Sequence, residues 1–192
     1  MNLNGGRPQI LPKQKPVMRE WLDEIKPKVI VELGCWLGES TVLWGEWARD
    51  NGAIVFAIDH WKDNHDTGLM GKRDSIFGQF KNNLDELDLW ETVHPIMGDS
   101  AETAKYFKDG FADFVFIDAC HLYSRVSKDI DAWLPKVRKD GLICGHDFEG
   151  EMFLEEGIER DFFKERHNGV IKAVMERFPG SESVAGMWRH IV

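Results

Sequence analysis

The chain has only three cysteines, Cys35, Cys120 and Cys144, an odd number without metal-type spacing. This argues against a disulfide framework and indicates reduced thiols in a cytoplasmic protein. Long apolar runs are missing too. The longest, such as Val29–Val31 and Phe114–Ile117, fall well short of the roughly 20 residues of a membrane helix, so no membrane partner is expected. No basic, apolar leader with a small-residue cleavage site opens the chain, and no secretory signal is expected. Basic charge is in deficit: 24 Lys and Arg against 33 Asp and Glu leave a net charge of −9. An acidic surface repels a phosphate backbone and no Lys/Arg cluster offsets it, so a small substrate is expected rather than nucleic acid. Internal repeats, low-complexity stretches and a dividing linker are absent as well.

What is present suits one domain over residues 1–192, with 43% hydrophobic and 30% charged residues. Residues 1–14, rich in Gly, Pro and Asn, read as a flexible N-terminal arm. A short helix follows, with Met18, Trp21, Leu22 and Ile25 on one face, ending before Pro27. Apolar strand-like runs then recur at Val29–Leu33, Ile54–Ile58, Thr92–Met97, Phe114–Ile117 and Leu142–Cys144. Helical faces lie between them: Ile76, Phe80, Leu84 and Leu87, and later Val126, Ile130, Trp133, Leu134 and Val137. Beyond Gly150, Phe153–Arg166 and Val170–Phe178 read as two helices, and Ser183–Val192 as one or two terminal strands. Continuous apolar strands separated by amphipathic helices predict an α/β fold, a mostly parallel central sheet with helices on both faces.

The first strand runs into Glu32-Leu33-Gly34-Cys35-Trp36-Leu37-Gly38-Glu39-Ser40. Glycines at such a strand end permit a tight turn and let a ligand approach the backbone, and a helix opening near Ser40 offers N–H groups to an anion. A nicotinamide dinucleotide needs a second glycine where its pyrophosphate crosses. Trp36 occupies that position and would obstruct it. Acids also end the later strands: Asp59, about 20 residues past Gly38, where a ribose-binding acid belongs; Asp99, after Gly98 and before Ser100; and Asp118. Each alone could be a cap or turn residue. Together, along the edge where ligands bind in such sheets, they indicate a site.

These segments, in this order, resemble the class I S-adenosylmethionine-dependent methyltransferases. More narrowly they resemble the small-molecule O-methyltransferase group that includes macrocin-type enzymes. The resemblance covers about Val29 to Phe148, with a weaker echo in Gly169-Val170-Ile171-Lys172-Ala173-Val174. It implies a Rossmann-like fold and a cofactor site formed by Glu32, Gly34, Gly38, Ser40, Asp59, Trp61, Gly98, Asp99, Ser100 and Asp118. Trp61 would stack near the adenine. Phe116-Ile117-Asp118-Ala119-Cys120-His121 and Leu142-Ile143-Cys144-Gly145-His146-Asp147 resemble the segments after the fourth and fifth strands. Related metal-dependent enzymes such as catechol O-methyltransferase carry an acid followed by Asn or Asp at the second of these. Here His146-Asp147 stands there, and imidazole favours zinc, iron or nickel over magnesium.

An alcohol is a poor nucleophile until deprotonated, so methyl transfer to oxygen needs a base or a Lewis acid. Asp118, His121 and His146 are the candidate catalytic residues, with His121 as general base. Asp118, His146 and Asp147 are the candidate ligands of a divalent metal, magnesium or another ion. His121 as a helix cap and His146 as a packing residue are the plain alternatives. The polar stretch from His60 to Gly68 reads as an active-site lid, with His65 reaching the substrate. The expected partner is a small-molecule or saccharide acceptor, and a homo-oligomer stays open. A metal-independent N- or C-methyltransferase, a non-catalytic S-adenosylmethionine-binding module and a hydroxylase-like relative are the competing functions.

Overall fold

The structure, a computed structural model, describes residues 10–62, 73–149 and 160–192. Helices α1 (Gln14–Ile25), α2 (Glu39–Asn51), α3 (Arg73–Glu86), α4 (Ser100–Thr103), α5 (Tyr123–Trp133) and α6 (Arg160–Arg177) alternate with six strands. The strands are β1 (Val29–Leu33), β2 (Ile54–Asp59), β3 (Val93–Met97), β4 (Ala112–Ile117), β5 (Val137–Gly145) and β6 (Trp188–Ile191). They form one sheet in the order β3-β2-β1-β4-β5-β6. The first five are parallel, and β6 pairs antiparallel with β5. The order reverses between β1 and β4, where such sheets open a crevice outside the strands' carboxyl ends.

The strands are apolar on both faces because both are covered. Along β4 the side chains alternate: Phe114 and Phe116 enter one core with Trp21, Trp44 and Phe80, while Val115 and Ile117 enter the other with Ile130, Trp133 and Val174. Trp44 packs on Phe114 and Phe116 with ring centroids 5.3 and 5.1 Å apart. Burial of each such side chain stabilises the fold by about 1.5–3 kcal/mol. Among the described residues, no helix is long and apolar enough to cross a membrane.

Three departures from the sequence reading have local causes. Val137 opens β5 instead of closing α5, because Pro135 lies in the 3-10 turn Leu134–Lys136 that turns the chain back to the sheet. Val170–Phe178 is the end of a single helix, α6, rather than a helix of its own; of the stretch expected as Phe153–Arg166, residues 153–159 lie outside the described residues. The segment expected as a loose arm is anchored at its end. Ile10 is buried in the core, and the Gln14 side chain donates to Ala185 O at 3.0 Å and accepts from Leu11 N at 2.7 Å. Residues 1–9 lie outside the described residues.

Beyond the strand ends, backbone hydrogen bonds continue the ladder and fix the edge. Gly34 N donates to Ile58 O at 2.9 Å, Asp118 N to Leu33 O at 2.8 Å, and His146 N to Ile117 O at 3.1 Å. Gly34 is left-handed (φ 85°), and a Cβ there would lie 2.2 Å from the Asp118 carbonyl oxygen. Any side chain would therefore be strained by its own backbone and would push β1 from β4. Gly34→Ala should lower stability by about 2 kcal/mol or more, measured by chemical denaturation. Wild-type stability in that variant would contradict the packing described.

Candidate active site

The turn after β1 is held by one acid, Asp59. Asp59, the last residue of β2, accepts Cys35 N and Trp36 N on Oδ2 at 2.8 and 2.9 Å, and Trp61 N on Oδ1 at 2.7 Å. Gly38 caps α2 in the left-handed region, and Ser40 lies in the first turn of that helix, buried. The turn thus brings a helix N-terminus to the crevice between β1 and β4.

Glu32 points the other way. It is fully buried on the α2 side of β1, where it accepts hydrogen bonds from Thr41 Oγ1 and, at 3.1 Å, from Trp44 Nε1. Burial pushes its carboxyl up to about 7, against the hydrogen bonds from Ser40, Thr41 and Trp44. Trp61 also faces inward, where the sequence reading set it beside adenine. The residue is 1% exposed, its ring is packed on Phe77 and Phe80 with centroids 4.7 and 4.9 Å apart, and its Nε1 donates to Trp36 O. After β3, Gly98 N donates to Asp59 O, Asp99 caps α4 by accepting Glu102 N, and the Ser100 hydroxyl bonds the buried Asp129. Burial raises the Asp129 carboxyl to about 6.

A second cluster stands at the ends of β4 and β5. His121 Nε2 lies 2.7 Å from Asp147 Oδ2 and 3.6 Å from Asp118 Oδ1. One ligand atom from each of Asp118, His121 and Asp147 falls within 4.8 Å of the others. His146, expected as a ligand, is outside that trio. Its Nδ1 faces Asp147 Oδ1 at 3.1 Å and Asp118 Oδ1 at 3.8 Å, and its Nε2 is buried without a hydrogen-bond partner. Burial disfavours charge on both imidazoles, but Asp118 and Asp147 outweigh it. They raise His121 well above the usual value and His146 to about 9. Burial alone would push Asp147 up, yet His121 and His146 hold it well below the usual carboxylate range. Asp147 also has a left-handed backbone (φ 55°), uncommon for a residue with a side chain and frequent at functional sites. Cys35 and Cys144 are buried and their thiols are pushed well up by burial, as inert thiols should be.

His167 was not read from the sequence as a site residue. It stands on α6, 9% exposed, with Nε2 3.5 Å from Asp147 Oδ1. A signal existed: with Val170 and Val174 it continues the buried stripe of that helix, which places an imidazole on the inward face. The expected lid falls outside the described residues from 63 onward, His65 included.

With this geometry known, the relatives can be placed. Residues 31–148, more than half of the chain, match a family model described as a methyltransferase domain. The chain belongs to that family, and its fold is the Rossmann-like fold of class I methyltransferases. It is similar, at 18% identity with a TM-score of 0.70, to the SAH-bound methyltransferase PaMTH1 of Podospora anserina, over 92% of this chain and 76% of that one. It is also similar to an O-methyltransferase from Bacillus cereus in complex with SAH, at 17% identity and a TM-score of 0.65, over 100% of this chain and 85% of that one. A curated relative, the Uncharacterized protein y4gI of Sinorhizobium fredii, is 25% identical over 132 residues, 67% of this chain. This chain spans 14% of that protein's length.

The buried Glu32 makes a pH prediction. With a folded value near 7 and an ordinary one of 4.5, it keeps a proton that the unfolded chain releases between these pH values. Its contribution is therefore fully present below about 4.5 and lost as pH rises toward 7. Glu32→Gln should remove that loss, so wild type minus variant stability should fall by up to about 3 kcal/mol across this window. A difference independent of pH would contradict a raised Glu32.

Proposed function

We propose that this chain transfers a methyl group from S-adenosylmethionine to a hydroxyl oxygen of a small molecule or saccharide, with a divalent ion held by Asp118, His121 and Asp147. The observation that carries this reading is the convergence of that trio at the same sheet edge as the Gly34 turn. Two SAH-bound relatives with this fold, one of them an O-methyltransferase, support the cofactor and the oxygen acceptor.

The residues fit both groups. The turn from Gly34 to Gly38 and the start of α2 at Ser40 would take the carboxylate end of the cofactor. Asp59 would accept from a ribose hydroxyl with the lone pair on Oδ1 that its backbone clamp leaves over. Gly98, Asp99 and Ser100 would border the adenine. Trp61 and Glu32 would support the turn from beneath rather than touch the ligand. In the trio, the 3.6 Å between His121 Nε2 and Asp118 Oδ1 suits ligand atoms that share one ion at bond lengths of about 2.0–2.2 Å, while His121 and Asp147, in direct contact at 2.7 Å, would part by a few tenths of an ångström to admit it. One imidazole with two carboxylates suits zinc, iron, cobalt or manganese better than magnesium. An ion bound there would act as a Lewis acid and lower the pKa of the acceptor hydroxyl. The chain's share is then to align that oxygen behind the methyl group and exclude water.

A second reading needs no ion. The 2.7 Å contact of Asp147 with His121 Nε2 is that of a carboxylate orienting an imidazole, and His121 would be the general base through Nδ1 at a pH above its raised value, where it has released the proton that Asp118 and Asp147 favour. Turnover decides between them. The full chain is incubated with S-adenosylmethionine and a panel of sugars, phenols and catechols, and release of S-adenosylhomocysteine is followed. EDTA should abolish release and manganese or cobalt restore it, while Asp147→Ala should lose about 100-fold or more. Full turnover in EDTA would remove the ion, and methylation of amines alone would remove the oxygen acceptor.

A further inference from the structure

The Asp147 carboxylate is gripped unevenly. Oδ2 faces His121 at 2.7 Å, on the side of the trio, whereas Oδ1 faces two other imidazoles. These are His146 Nδ1 at 3.1 Å, from the neighbouring residue, and His167 Nε2 at 3.5 Å, from α6. Asp147 is 9% exposed and so is His167, so water competes little for these contacts. The left-handed backbone of Asp147 aims its side chain at this spot, and Phe148 N, bonded to Gly186 O at 2.9 Å, holds the chain just beyond it.

Helix α6 is brought to this place by a missing side chain. A Cβ on Gly169 would lie 2.4 Å from His121 O and 2.7 Å from Tyr123 N. The helix therefore rests backbone to backbone on the segment that carries His121, two residues after His167. The His121 and His167 rings meet edge to face, 6.3 Å between centroids. One docking contact thus sets both histidines relative to Asp147.

We propose that His167 is a positioning residue. With His146 it holds Oδ1 of Asp147 so that Oδ2 is the oxygen offered to an ion shared with Asp118 and His121. In this role it is not itself a ligand: among the described residues, the ligand atoms within 4.8 Å of one another are those of Asp118, His121 and Asp147. Hydrogen-bonded partners behind a ligand set its orientation and basicity, and losing one weakens metal binding by about 10–100-fold. The inference rests on the ion-site reading given above, and adds that the site is complete only when α6 is docked.

The test is cobalt(II) binding to the metal-stripped full chain, by calorimetry and by the visible absorption of the bound ion. His167→Ala should weaken binding by about 10–100-fold while the absorption bands keep their wild-type pattern, because the ligand set is intact. His167→Gln, whose amide can donate to Oδ1, should recover most of the affinity. Gly169→Ala, which keeps every polar group but displaces α6, should weaken binding as well. Unchanged affinity in His167→Ala would overturn the proposal and leave the ion site standing. A changed band pattern would overturn it in another way, by making His167 a ligand. Wild type that binds S-adenosylmethionine but no cobalt, zinc or manganese would overturn the ion-site reading, and this inference with it.

Discussion

The close approach of Gly34 to the carbonyl of Asp118 is the constraint on which the ligand edge depends. It lets β1 and β4 run side by side to their ends, at the point where the strand order reverses. From this junction the chain departs in two directions. One is the turn into α2, whose N–H groups Asp59 gathers. The other is the loop after Asp118 that carries His121. The glycine turn and the Asp–His cluster are thus adjacent because two backbones touch.

Charge is distributed around that junction with a clear asymmetry. On the α2 side, Glu32 is an isolated buried acid whose raised pKa favours the neutral form, and its partners are hydroxyls and an indole N–H. Such an acid braces α2 against β1 and keeps its proton below a pH of about 7. On the other side, two carboxylates and three imidazoles are crowded together beyond the ends of β4 and β5. Desolvating charges is costly unless they are paired, and here each carboxylate has an imidazole beside it. A purely structural core would be served as well by apolar side chains. The concentration of titratable groups at the edge where such sheets bind ligands is what makes the cluster the candidate site.

Much of this was legible in the sequence, for identifiable reasons. Apolar runs at Val29–Leu33 and Phe114–Ile117 gave their strands because both faces of a parallel sheet are buried. Acids at strand ends are visible by position, so Asp59, Asp99 and Asp118 were found. What those acids bond is not visible. Asp59 grips the turn, Glu32 faces the core, and Trp61 packs on Phe77 and Phe80, all through contacts set by tertiary packing. Val137 continued a helical spacing by coincidence and belongs to β5. His167 was missed because its partner, Asp147, lies on another element. Only the register of α6 on the His121 segment, fixed at Gly169, brings them together.

Whether S-adenosylmethionine is the ligand of this edge is decided most directly by calorimetric titration of the purified chain, with NAD as the control. Micromolar binding of S-adenosylmethionine with no response to NAD is the predicted result, since Trp36 stands where a dinucleotide's pyrophosphate would cross. Binding of NAD, or no binding of S-adenosylmethionine with or without divalent ions, would contradict the proposed activity and leave a methyltransferase fold that serves another ligand.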